Sequence, residues 1–247
     1  SDAIIDHGAN ASANAELLRL MRSKLQFVLN RPDQKVILVT STVSGEGKTF
    51  VSINLSVSVS LTGKKVLLIG MDLRKPMLAH HFSITEELGV TSYLSGEVED
   101  FNTLIHKSKE FKNLDLLPGG IIPPNPNELI LNDRLDRMME KLRDQYDYIL
   151  IDSAPVGAVS DTFLIHRVSD MTLYVCRANY SDKRNLEFLN RVSQEQSLKN
   201  IYLVVNDVDL SHSRYGVKNA GSYGYGYGYG YGYGYTRKKK SKDQGSV

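Results

Sequence analysis

One segment restricts the folds open to this chain more than any other. The apolar run Val36-Ile37-Leu38-Val39 leads into Ser41-Thr42-Val43-Ser44-Gly45-Glu46-Gly47-Lys48-Thr49, and that loop opens a helix-length stretch over roughly 48–62. A small-residue loop at a helix N-terminus aims unpaired backbone N–H groups at an anion, and the helix dipole adds to the attraction. Gly45 and Gly47 let the backbone approach a phosphate closely. Lys48 is placed to reach the β- and γ-phosphates of a nucleoside triphosphate, and Thr49 to offer its hydroxyl to Mg²⁺. The full motif asks for glycine at position 42, where this chain has threonine. The strand–loop–helix context supports a triphosphate site all the same.

Five further runs repeat the pattern of the first strand. They are Val66-Leu67-Leu68-Ile69, Leu114 to Leu117, Tyr148-Ile149-Leu150-Ile151, Leu173-Tyr174-Val175-Cys176 and Ile201 to Val205. Continuous apolar runs without alternation suit strands covered on both faces, as in parallel sheets. Helical stretches fall between them near 126–145, 160–168 and 182–196. The expectation is one α/β domain over 31–210, built on a doubly wound, mainly parallel sheet. Cys176 is the single cysteine among 247 residues, which excludes an internal disulfide and a multi-thiolate metal site and predicts a reducing compartment. No apolar run reaches the roughly 20 residues of a membrane helix, and no signal peptide is read at the start; the piece given is expected to be soluble.

Acids follow two of these strands. Asp152 ends the strand Ile149-Leu150-Ile151, where a triphosphate-binding fold places the aspartate that holds Mg²⁺ or its water; a turn or helix-cap aspartate is the alternative. Asp72 and Arg74, in Ile69-Gly70-Met71-Asp72-Leu73-Arg74-Lys75-Pro76, are expected at the carboxyl edge of the sheet, where ligands bind in open α/β folds. For Arg74 a surface salt bridge is the alternative to a phosphate contact. His80 and His81 lack metal-ligand companions. Cys176 reads as an inert core thiol, and Tyr93, Tyr146, Tyr148, Tyr174, Tyr180 and Tyr202 as packing residues.

The ends of the chain have a different character. A helix is expected from about Asn14 to Leu29, with Leu17, Met21, Leu25 and Val28 in one stripe and Glu16, Arg19 and Arg22 near the opposite face. At the other end Tyr223, Tyr225, Tyr227, Tyr229, Tyr231, Tyr233 and Tyr235 alternate with glycines, so half of the 14 tyrosines sit in this one run. Glycine at every second position adds entropy to be lost on ordering and offers nothing to pack, so 211–247 is read as a disordered tail. Residues 221–247 carry Arg237, Lys238, Lys239, Lys240 and Lys242 against Asp243, a net +4, and the rest of the chain is −2 within the whole chain's +2. A mildly acidic body does not present the basic face of a nucleic-acid binder. The basic run either touches an anionic membrane surface or keeps the tail solvated.

Taken in order, these elements resemble the bacterial tyrosine kinases (BY-kinases), phosphate-loop enzymes of polysaccharide-export systems. Their Walker A′ element is a hydrophobic run followed by D-x-D-x-R; Asp72 and Arg74 match its second acid and its arginine, and Gly70 stands where the first acid belongs. Glu16, Arg19 and Arg22 match the family's E-x-x-R-x-x-R element, and Leu117-Pro118-Gly119-Gly120 with Pro123 to Leu129 looks like its proline-rich segment. The tail is similar to its terminal tyrosine cluster.

The resemblance implies a protein-tyrosine autokinase that uses ATP and Mg²⁺ and regulates exopolysaccharide or capsule synthesis and export. Ser44, Gly45, Glu46, Gly47, Lys48, Thr49 and Phe50 would bind ATP, with Asn206 at the base, or else as a turn cap. Thr49, Asp72 and Asp152 would surround the metal, and Lys48, Asp72, Asp152 and Arg74 would carry the chemistry. The tail tyrosines 223–235 would be the acceptors, phosphorylated in trans within a ring, an octamer by resemblance, joined through Glu16, Arg19 and Arg22. A membrane-spanning co-polymerase segment, fused or separate, and a protein-tyrosine phosphatase are the implied partners. The location implied is the cytoplasmic face of the bacterial inner membrane, with this chain an excised cytoplasmic domain over residues 1–247. Two alternatives stay open. One is a MinD/ParA-like switch ATPase, whose signature lysine would fall at Val43; the other is a non-catalytic nucleotide-dependent scaffold, which Gly70 keeps in play.

Overall fold

The computed structural model describes residue 4, residues 13–29 and residues 31–209. The Tyr/Gly tail, with its expected disorder and its seven acceptor tyrosines, lies outside the described residues. Seven strands form one sheet: β1 (Val36–Ser41), β2 (Val66–Met71), β3 (His106–Lys107), β4 (Leu114–Leu117), β5 (Tyr148–Ser153), β6 (Met171–Arg177) and β7 (Ile201–Asn206). Their order is β3-β4-β2-β5-β1-β6-β7, parallel throughout except for β3 against β4.

The apolar runs of β1, β2, β5 and β6 are continuous because these strands are buried on both faces, whereas the apolar run of the edge strand β7 is largely exposed. Along β1, Val36 and Leu38 join one apolar layer while Ile37 and Val39 join the other. The same division separates Leu67 and Ile69 from Val66 and Leu68 in β2, and Tyr174 and Cys176 from Leu173 and Val175 in β6. Fully burying one such side chain contributes about 1.5–3 kcal/mol. Helix α1 (Ala13–Val28) and helix α2 (Lys48–Ser60) belong to one face. Helices α4 (Val90–Leu94), α5 (Pro126–Leu131) and α6 (Asp133–Gln145) cover the other, and the short α3 is Leu78–His81. Helix α7 (Asp161–Ile165) follows β5, and α8 (Lys183–Gln194) lies between β6 and β7.

Helix α2 is buried at every position from Val51 to Ser60, although half of these residues are polar. Three of its serines turn back onto the helix: Ser52 Oγ donates to the Lys48 carbonyl at 2.8 Å, Ser56 Oγ to the Ser52 carbonyl at 2.7 Å and Ser60 Oγ to the Val57 carbonyl at 2.8 Å.

Two expectations are corrected, and one strand was not foreseen. The stretch 126–145 is two helices, because Asn132 adopts an extended backbone and its side chain caps α6 by accepting the Arg134 N–H at 3.0 Å. In α1, Ala15, Leu18 and Leu25 are buried and Met21 and Val28 pack partly buried against the layer of Leu25, so of the expected stripe only Leu17, 43% exposed, faces outward. Strand β3 is two residues long, too short to leave a periodic signal.

Candidate active site

Parallel register brings three functional segments together. Val39 of β1 and Gly70 of β2 both lie opposite Asp152 of β5, so the loop after β1, the Asp72 segment after β2 and Asp152 share one sheet edge. Lys48 is the first residue of α2, and its Nζ donates to Asp72 Oδ2 at 2.9 Å. Both side chains are largely buried. Asp72 Oδ1 accepts the Lys75 N–H at 3.0 Å. Thr49 Oγ1 donates to Asp152 Oδ2 at 2.8 Å, and Ser52 Oγ to Oδ1 at 3.3 Å. Burial pushes the Asp152 carboxyl above its usual range, opposed by the Lys48 charge and by the hydrogen bond from Thr49.

The loop has the conformation an anion cradle needs. Gly45 and Gly47 have φ of 89° and 97°, the left-handed region that favours glycine. Among the described residues, no acceptor within the chain takes the backbone N–H groups of residues 44–49. Thr42 fits where the motif has glycine because its hydroxyl pairs with the buried Tyr174 hydroxyl at 2.7 Å.

Glu46 is fully buried and turned away from that cradle. One carboxylate oxygen accepts the Val43 N–H at 2.8 Å; the other accepts the Ser181 hydroxyl and the Asn185 amide. Its side chain is therefore an internal brace, a role the sequence reading missed. The available signal was a carboxylate inside an anion-binding loop, which is tolerable only if it points elsewhere.

Other residues fall as follows. Asn206 ends β7 and donates from Nδ2 to the Glu46 carbonyl at 3.2 Å; a Cβ on Gly47 would lie 2.1 Å from that nitrogen. The ring of Phe50 packs against the apolar layer, and its carbonyl accepts Asn54 Nδ2 at 2.9 Å. Arg74 forms a two-point pair with fully buried Asp161, Nε to Oδ2 at 2.9 Å and Nη2 to Oδ1 at 3.0 Å, an ion pair whose acid lies in the core rather than the surface salt bridge expected as the alternative. At Gly70 an added Cβ would meet the Gly119 nitrogen and Leu78 Cβ at 3.3 Å, so the loop after β4 closes over the position of the missing acid.

Tyr180 is half exposed, not a core residue: its hydroxyl donates to the Ser44 carbonyl at 3.0 Å. Arg177 lies over that ring and donates to the Gly45 carbonyl at 3.2 Å, so both hold the loop from outside. Tyr202 is also exposed rather than packed. Cys176 is buried, and burial pushes its thiol up to about 11, as expected of an inert group. Glu16 pairs with Arg19 one turn away, and Arg22 donates to the Ser58 carbonyl of α2 at 2.8 Å.

The donors fit a hard cation. Among the described residues no group of three His, Cys, Asp or Glu side chains stands ready for a metal. Mg²⁺ in phosphate-transfer sites takes one or two carboxylates and completes its shell with substrate phosphates and water, which Thr49 and Asp152 suit.

A family of proteins described as having an AAA domain matches residues 34–205. The tyrosine-protein kinase CpsD of Streptococcus agalactiae is 31% identical over 215 residues, covering 87% of this chain and 91% of that protein. The tyrosine-protein kinase etk of Escherichia coli K12 is 32% identical over 167 residues, 68% of this chain, but the chain spans only 23% of that longer protein. The solved kinase domain of Escherichia coli tyrosine kinase ETK superposes with a TM-score of 0.76 at 30% identity, covering 90% of this chain and 83% of that one.

Proposed function

The chain belongs to the AAA-domain family and, within it, to the bacterial tyrosine-protein kinases, and from that premise we propose that it transfers the γ-phosphoryl group of ATP to tyrosines 223–235 of another copy of itself. The observation that carries this reading is the pairing of Lys48 with Asp72 beside the pairing of Thr49 with Asp152, at the mouth of an open N–H cradle.

The backbone N–H groups of residues 44–49 bind the phosphates, with the Lys48 ammonium on the β- and γ-oxygens. Thr49 and Asp152 would hold Mg²⁺, which would supply neutralisation of the phosphate charge. Phosphoryl transfer needs mainly positioning and charge stabilisation. A tyrosine hydroxyl, with a usual pKa near 10, attacks the γ-phosphorus as its proton passes to Asp72, and the bond to ADP breaks. Arg74 acts by anchoring the segment of Asp72 to α7 through Asp161. Incubation of the full chain with Mg²⁺ and ATP is expected to place phosphate on residues 223–235, counted by mass spectrometry. ATP hydrolysis with no phosphotyrosine would instead favour a switch ATPase of the MinD type.

Copies assemble through Glu16, Arg19 and Arg22 into a ring. The Glu16–Arg19 pair is solvent-accessible and worth little where it stands, so it exchanges readily for partners on a neighbour. Each tail phosphate adds about −1.5 to −2 charge, and several reverse the +4 of residues 221–247. Light scattering is expected to find an oligomer for the dephosphorylated chain and a monomer for the phosphorylated one; equal masses would contradict this. The process served is exopolysaccharide or capsule synthesis, at the cytoplasmic face of the inner membrane, with a membrane-spanning co-polymerase segment and a tyrosine phosphatase as partners. No helix among the described residues is long and apolar enough to cross a membrane.

A further inference from the structure

Beside the segment that carries Asp72, a groove of about 440 Å³ opens between Pro76, Pro118, Ile121 and Ile122, with Glu86 and Glu87 in its lining. Its walls are tied to the catalytic edge. One begins at Pro76, four residues after Asp72; the other is the loop after β4, which lies on the end of β2. A Cβ on Gly119 would come within 3.1 Å of the Gly70 carbonyl and 3.3 Å of Pro76 Cβ. Ile121 and Ile122 are 56% and 57% exposed, two adjacent apolar side chains left in water beside a reactive site.

We infer that this groove binds the Tyr/Gly tail of another copy of the chain and sets which tyrosine reacts, an inference that rests on the kinase reading above. Proline and isoleucine faces suit an aromatic ring. Two glutamates in the lining complement the basic residues 237–240 that end the tyrosine run. In an extended segment, residues two apart point the same way and lie about 7 Å apart. The tyrosines of 223–235 would therefore present rings along one edge, and the intervening glycines leave the backbone free to approach the groove closely. One ring held in the groove then positions another at Asp72, and sliding by two residues presents the next. Gly70 contributes by admitting the loop after β4 to its place.

The test uses the full chain with tyrosines 223–235 changed to serine, so that its own tail does not compete. A fluorescent peptide with the sequence of residues 221–240 is titrated into this host, into Ile121→Asp/Ile122→Asp and into Glu86→Lys/Glu87→Lys, with ATP binding and phosphate on the peptide measured alongside. Each double variant is expected to weaken peptide binding at least tenfold with ATP binding unchanged. A peptide with glutamate at 237–240 should recover the loss in the lysine variant. Unchanged peptide affinity in both variants overturns the groove. If the groove variants weaken binding but the host phosphorylates nothing, the groove stands and the kinase reading falls. If phosphate transfer proceeds while binding is unaffected, the reverse holds.

Discussion

Lys48→Met is expected to lower phosphate transfer to the tail tyrosines by about a thousandfold or more, the scale of losing a principal charge-stabilising group in phosphoryl transfer. The reason is geometric. Lys48 opens α2 directly after the N–H cradle, so its ammonium is delivered to the same anion that the cradle binds. Its present partner, Asp72 Oδ2 at 2.9 Å, is the group assigned to the tyrosine proton, so methionine removes the phosphate contact and the orientation of that acid together. The fold should survive. Asp72 keeps the Lys75 N–H, and the loss of a largely buried partner costs about 3–5 kcal/mol, within the usual stability of a domain. The measurement is phosphate per chain by mass spectrometry at saturating Mg²⁺ and ATP, paired with a thermal melt. A variant that melts normally and still phosphorylates residues 223–235 at the parent's rate would remove Lys48 from the chemistry.

What was legible in the chain, and what was not, follows from the range over which each feature is encoded. Strands β1, β2, β5 and β6 were readable because burial on both faces writes itself as an unbroken apolar run. The cradle was readable because glycine, lysine and threonine each answer a local demand of a helix N-terminus. The break at Asn132 was not read, although Asn132-Asp133 is a capping sequence, because the apolar period continues across it. Long-range pairings left no such trace. Asp161 lies 87 residues from Arg74, and no local pattern connects them. Glu46 is the instructive case: its place in the motif suggested a backbone contribution alone, and only the packing of Ser181 and Asn185 gives its carboxylate a use. The loop over Gly70 could not be foreseen either, since it depends on Gly119 meeting β2.

The second large effect concerns Asp152, whose variant is expected to gain stability while losing function. Burial is the largest influence on this carboxyl and raises its pKa; Lys48 and the Thr49 hydroxyl act against burial without reversing it. A raised carboxyl pKa means that the folded chain holds the proton more tightly than the unfolded chain does. The resulting stabilisation is complete below the unfolded pKa, near 3.8, and is lost as pH rises through the folded value. Above the folded value the metal-free chain therefore bears an unfavourable buried charge. Asp152→Asn removes it at nearly constant shape, and the hydroxyls of Thr49 and Ser52 can rotate to serve the amide. The gain is read as a rise in melting temperature, each 1 kcal/mol corresponding to about 2–4 °C for a domain of this size. Mg²⁺ inverts the balance, because it requires the ionised carboxylate. In the parent, Mg²⁺ with ATP should raise the melting temperature, and its affinity should fall as pH drops through the raised pKa. In Asp152→Asn that increment and its pH dependence should vanish, with phosphate transfer down about a hundredfold or more. Melts of both proteins across pH, with and without Mg²⁺ and ATP, separate the two effects. A variant less stable than the metal-free parent at neutral pH would show that Thr49, Ser52 and Lys48 outweigh burial, and that the carboxylate belongs to the folded state even before a nucleotide arrives.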